Sequence, residues 1–191
     1  MRVVSITNVT LDGVMQAPGR PDEDTRGGFR HGGWAVPYNA MGSLLGERGE
    51  QSGAMLFGRR TYEDFAAFWP KQEPNPYTEA LNAMTKYVAS TTLREPLPWT
   101  NSVLLKSGVP QEVGRLREQE GDDLVILGSG ELVRSLMPHR LVDEFILLIH
   151  PLVLGTGRRL FADGTAMTPL KLTDSRATDT GVVIAVYQPR S

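Results

Sequence analysis

Cysteine is absent from the 191 residues, which removes disulfides, thiolate metal sites and a thiol nucleophile together and fits an intracellular chain. Redox chemistry would have to come from a cofactor. Histidine is scarce: His31, His139 and His150 show no metal-ligand spacing, so no metal is expected. Charge of one sign is also missing, with 20 basic against 22 acidic residues and a net charge of -2. No like-charged block is long enough to track a phosphate backbone, so nucleic acid is not expected as a partner. No apolar run approaches ~18 residues, and the opening MRVVSITNVTLDG is too short and polar for a signal segment. A cytoplasmic protein with no membrane partner is the expectation. The familiar phosphate fingerprints are missing as well: there is no G-x-x-x-x-G-K-[ST], and Gly128-Ser129-Gly130 lacks the third glycine of G-x-G-x-x-G.

What is present suits one domain spanning residues 1–191, since 40% hydrophobic content closes a single sizeable core. Residues 3–9 read as a β-strand ended by the turn signal Asp12-Gly13. Residues 16–37, rich in Gly, Pro, Asp and Arg, have no periodicity; a loop this long in a compact domain is usually functional or disordered, and it is read here as a lid. A helix is expected over 39–48, capped by Asn39 and closed by Gly49, then a strand at 54–57. Tyr62, Phe65, Ala66 and Trp69 space a helix over 61–69 that Pro70 stops, and this spacing makes them core rather than a base-stacking platform. A short helical piece at 79–84, strands at 86–90 and 102–106, and a helix at 110–120 follow. Residues 123–127 are a near-continuous apolar run, as in a parallel strand buried on both faces. A short helix at 131–137, a strand at 142–149 and an antiparallel pair at 170–175 and 182–188 complete an α/β domain with a mixed sheet of about eight strands.

Two segments carry the same device, a buried strand that ends in glycine and runs straight into a helix, offering backbone N–H groups and the positive end of a dipole to an anion. Gly58-Arg59-Arg60-Thr61 adds two guanidinium groups and a hydroxyl. Gly128-Ser129-Gly130 gives close backbone approach without a cation. Either alone is more often a tight turn; the pair in one chain raises the functional reading.

The order of motifs resembles the dihydrofolate-reductase-like superfamily, in particular its branch similar to the C-terminal reductase domain of the bacterial riboflavin-pathway deaminase/reductase. The matching segments are Thr10-Leu11-Asp12-Gly13, Met55 to Glu63, Leu127 to Leu132, Leu141-Val142-Asp143-Glu144, His150 to Gly157 and Leu160-Phe161. The resemblance implies NADPH lying across the strand ends. Gly58, Arg59, Arg60 and Thr61 would hold the pyrophosphate and adenosine side. Ser90, Thr91 and Thr92 would hold the adenine ribose and, with Arg59 or Arg60, its 2'-phosphate. Gly128, Ser129, Gly130, Glu131 and Leu132 would hold the pyrophosphate near the nicotinamide. It implies hydride transfer to a small heterocyclic or ribosylaminopyrimidine-type substrate, and a homodimer through the region of residues 155–161. A non-catalytic nucleotide-binding module and a divergent dihydrofolate reductase are the alternatives; the latter is disfavoured because the helix at 39–48 has only Glu47, near its far end. The family's cis peptide at the glycine pair would fall at Gly128-Ser129. Asp12 is the candidate catalytic carboxylate, with a turn role as its equal rival. His31 and Trp34 are the candidate substrate contacts on the lid.

Overall fold

The computed structural model describes residues 1–42, 44 and 52–190. Eight strands form one sheet: β1 (Val3–Thr10), β2 (Ser52–Gly58), β3 (Thr85–Ala89), β4 (Ser102–Leu105), β5 (Asp123–Leu127), β6 (Glu144–His150), β7 (Leu170–Ala177) and β8 (Val183–Pro189). Their order across the sheet is β4-β3-β2-β5-β1-β6-β8-β7. The first six run parallel, while β8 is antiparallel to both β6 and β7. The central strands are apolar on both faces because helices cover both: β5 buries Leu124, Val125, Ile126 and Leu127.

Four α-helices are described in full: α1 (Arg59–Phe68), α2 (Pro76–Ala83), α3 (Val109–Arg117) and α4 (Gly130–Leu136). Alternation along β1 feeds two cores. Val3 and Val9 meet Val113 and Leu116 of α3 and Leu132, Val133 and Leu136 of α4. Val4 and Ile6 face the other side, with Tyr62 of α1, Leu81 of α2 and Trp99. Residues 40–42 and 44 are helical on that second face; the rest of the helix expected to residue 48, with Glu47 and Gly49, lies outside the described residues.

Two helix starts differ from expectation. α1 begins at Arg59, so the two arginines stand in its first turn and not in a loop before it. α2 begins at Pro76 because Asn75 accepts from the N–H groups of Tyr77 and Thr78 at 3.0 and 3.1 Å, while Thr78 Oγ1 accepts from Asn75 N at 2.9 Å. That reciprocal cap, with Pro at the first helical position, fixes the start. The far end of α2 is closed by Lys86, whose fully buried ammonium donates to the carbonyls of Asn82, Met84 and Thr100 at 2.9, 2.8 and 3.1 Å.

The 16–37 segment is an ordered loop with two 3-10 turns, Arg26–Gly28 and Val36–Tyr38. It has its own apolar cluster, in which Ala17, Phe29 and Trp34 pack with Val14. The buried Gln16 is its hub: Nε2 donates to the carbonyls of Asp24 and Arg26, Oε1 accepts from Arg158 N, and its carbonyl accepts from Trp34 Nε1 at 2.7 Å.

Candidate active site

Parallel register brings the expected segments to one edge of the sheet. Gly58 of β2 pairs with Ala89 of β3, and Met55 of β2 pairs with Val125 of β5, a register that sets Gly58 beside the end of β5. The carboxyl ends of β2, β3 and β5 therefore lie level, and the turns after them, at Gly58, Ser90 and Gly128, face the same side. In parallel α/β sheets this edge is where ligands bind. A direct link joins two of the turns: Ser129 Oγ accepts from Gly58 N at 3.1 Å and donates to Thr61 Oγ1 at 2.9 Å.

No side chain caps α1, whose N-cap is Gly58. Its first-turn N–H groups are open to an anion, and the helix dipole favours one. Arg59 is half-exposed and its Nη1 meets both carboxylate oxygens of Glu63, one turn along, at 3.0 and 3.2 Å. Arg60 is exposed. In the next turn, Ser90 Oγ accepts from the N–H groups of Thr92 and Leu93 at 3.2 and 3.0 Å, so its hydroxyl builds the bend and leaves Thr91 and Thr92 exposed.

The turn after β5 is tighter than its glycines suggest. Gly128 and Ser129 are both left-handed, with φ of 63° and 54°, an arrangement costing roughly 1 kcal/mol at the serine. The peptide bond between them is trans; the cis bond among the described residues is Glu95-Pro96. Gly130 serves packing, since a Cβ there would lie 2.4 Å from Met15 Sδ. Leu132 is a core residue, and Glu131 is exposed and pairs with Arg158 at 3.4 Å.

β1 outruns β5. Even-numbered positions of β1 turn their backbone groups toward β5: the carbonyls of Arg2 and Ile6 accept from the N–H groups of Leu124 and Gly128 at 2.8 and 3.2 Å. Pairing to β5 stops at Ile6, whereas pairing to β6 continues to Thr10. Asn8, next in the alternation, thus presents its main-chain N–H and C=O to the opening left where β5 turns away. No sequence signal marked Asn8, because its position matters only through where a neighbouring strand ends.

Asp12 has many partners. It accepts from Thr10 Oγ1 at 2.6 Å, Leu154 N at 3.2 Å and Gly155 N at 2.9 Å, and Arg159 Nη2 lies 3.7 Å away. The Thr10 hydroxyl and then the two backbone N–H groups hold its carboxyl below the usual range. Of the lid candidates, Trp34 is buried inside the loop's own cluster and His31 is exposed, edge-on to Phe29 at 5.6 Å. The loop reaches α1 through Arg20, which pairs with Asp64 and lies 4.6 Å over the Phe68 ring. Among the described residues, no group of three His, Asp or Glu side chains could hold a metal ion, and no helix is long and apolar enough to cross a membrane.

The model of the RibD C-terminal domain family matches residues 2–184. The chain belongs to that family. It is 30% identical over 192 residues to the uncharacterised protein YyaP of Bacillus subtilis strain 168, covering 97% of this chain and 94% of that protein. Among solved structures, a protein of Shewanella sp. PV-4 provisionally assigned to riboflavin biosynthesis superposes with a TM-score of 0.70 at 17% identity, each chain covered in full. Dihydrofolate reductase from Enterococcus faecalis, complexed with NADP(H) and RAB-propyl, gives 0.65 at 14% identity over 100% of this chain and 97% of that one. The fold is dihydrofolate-reductase-like, as the order of motifs implied.

Proposed function

We propose that this RibD C-terminal domain family member is an NADPH-dependent reductase acting on a small heterocyclic or ribosylaminopyrimidine-type substrate. The observation that carries the reading is the level alignment of the ends of β2, β3 and β5 beside an uncapped helix bearing Arg59 and Arg60. These residues fit a phosphate-rich dinucleotide: open N–H groups and guanidinium forks for the phosphates, and exposed Thr91 and Thr92 hydroxyls for a ribose. When bound, the nicotinamide supplies the hydride. The chain's own work is to bind and orient. The first turn of α1 and its arginines neutralise phosphate charge, the main chain of Asn8 pairs with a planar amide, and the 16–37 loop covers the opening and excludes water. Asp12, held ionised, suits fastening the 151–155 turn to β1 better than giving a proton.

The test compares NADPH and NADH binding by the wild type, Arg59→Ala and Arg60→Ala. At least one substitution is expected to weaken NADPH about tenfold or more while leaving NADH little changed, the loss of one charge-assisted phosphate contact. Equal weakening of both cofactors refutes the 2'-phosphate assignment, and absence of NADPH binding refutes the reading as a whole. NADPH binding without turnover across pyrimidines, pterins and carbonyls would favour a non-catalytic module.

Self-association of two chains is part of the same proposal. Leu11 and Phe161 are exposed at a cavity of about 240 Å³ that Val9, Leu147 and Ile149 also line, and exposed apolar surface of this kind supports a partner face. Sedimentation at micromolar concentration tests it, with a monomer as the contrary result.

A further inference from the structure

His150 closes β6 with a fully buried imidazole that the binding roles above leave unused. Its Nε2 lies 2.8 Å from Oδ1 of Asn8, and the rings of Trp34, in the 16–37 loop, and Tyr38, just after it, meet it edge-on at 5.1 and 5.0 Å. An amide oxygen only accepts, so Nε2 carries the proton and Nδ1 is left as an acceptor. That Nδ1 is buried without a hydrogen-bond partner. An unsatisfied buried acceptor is a standing cost that a phenylalanine in the same space would avoid, so packing alone does not account for a histidine here. Burial holds the ring neutral by lowering its pKa to about 4, which keeps the Nε2–H donor role constant at neutral pH.

What the imidazole does fix is Asn8. With Oδ1 held by His150, the amide must turn its Nδ2 the other way. Nδ2 makes no hydrogen bond among the described residues, and Asn8 is half-buried at the point where β1 has passed the end of β5. We propose that Asn8 is a substrate-reading residue and His150 the positioning residue that orients it. The opening beside the end of β5 then offers an amide donor that selects the carbonyl edge of a planar heterocycle over an amino edge. The proposal rests on the reductase reading, in that the heterocycle would lie beside the nicotinamide.

The test uses the NADPH-loaded protein, titrated by calorimetry with 5,6-diaminouracil and with 2,4,5,6-tetraaminopyrimidine, which replaces the ring carbonyls by amino groups. NADPH affinity is measured first for every variant. The wild type is expected to bind the dione at least about tenfold more tightly, because a site built to donate is left unpaired by the amino compound. Asn8→Asp, which puts an acceptor in place of the donor, should reverse the preference, and Asn8→Ser should abolish it. His150→Phe should flatten the preference at unchanged NADPH affinity and undiminished thermal stability, while His150→Gln, whose amide N–H can reach the same Oδ1, should restore it. A preference unchanged in both Asn8 variants, or kept in His150→Phe, overturns the proposal. So does a wild type that binds NADPH but does not distinguish the two pyrimidines, and this leaves the reductase reading intact. A wild type that binds no NADPH defeats both.

Discussion

At the scale of single residues, two titratable groups make separable predictions. For His150 the folded pKa of about 4 lies below the ordinary value of 6.5, so between those values the unfolded chain binds a proton that the native one refuses. Stability is whole above pH 6.5 and falls as the pH drops toward 4, by on the order of 3 kcal/mol in total. Urea midpoints taken from pH 7 to pH 4 should show this slope, and His150→Phe should remove it. Asp12 distinguishes two roles. If it fastens the turn at Leu154 and Gly155, Asp12→Asn should lower stability by about 1 to 3 kcal/mol, as expected when charge-assisted bonds weaken, with turnover reduced only in proportion to the folded fraction. Loss of turnover at unchanged stability would instead restore it as the catalytic carboxylate.

At the scale of elements, the turn after β5 shows how one short segment serves two neighbours. Its Ser129 side chain ties the end of β2 to the start of α1, and its Gly130 admits Met15 from just before the 16–37 loop. Gly130→Ala would place a methyl carbon 2.4 Å from Met15 Sδ. The flexible end of Met15 must move, and a cost of about 1 kcal/mol, the low end for overpacking, is expected, read as a lower melting temperature. Met15→Ala in the same chain should recover part of it. Unchanged stability in Gly130→Ala would mean that Met15 relocates freely and that the glycine has another purpose. Helix boundaries show what periodicity misses: apolar spacing placed the start of α1 at residue 61, but Gly58 as its N-cap moves it to Arg59 and changes which N–H groups are open. The start of α2 was written in Asn75, Pro76 and Thr78, a capping signal that apolar spacing does not register.

At the scale of the whole molecule, two polar side chains help to bind the 16–37 loop to the body. Gln16 holds the loop together and to Arg158, and Arg20 latches it to α1 through Asp64 and the Phe68 ring. Since α1 also bears the proposed phosphate site, closure of the loop and occupancy of the site act on one helix. Arg20→Ala should raise amide exchange across residues 16–37 and weaken NADPH by a smaller factor than the arginine substitutions in α1. Exchange equal to that of the wild type would show that the loop's own cluster of Val14, Ala17, Phe29 and Trp34 holds it without the latch.

The sequence by itself determined the number and type of the strands, the two glycine-ended turns, the presence of a long loop after β1, and the family, because each is written in local periodicity, turn residues or motif order. Residues 123–127 could be read as a central strand from five letters, since burial on both faces leaves no polar position. Only the tertiary structure decided that Gly130 leaves room for Met15, that Asp12 is held by Leu154 and Gly155, and that Asn8 and His150 meet. Each depends on contacts between residues about 115 to 143 positions apart in the chain. Such contacts arise from strand order, from where β5 stops while β1 continues, and from how the lid folds back, none of which leaves a local trace in the residues concerned.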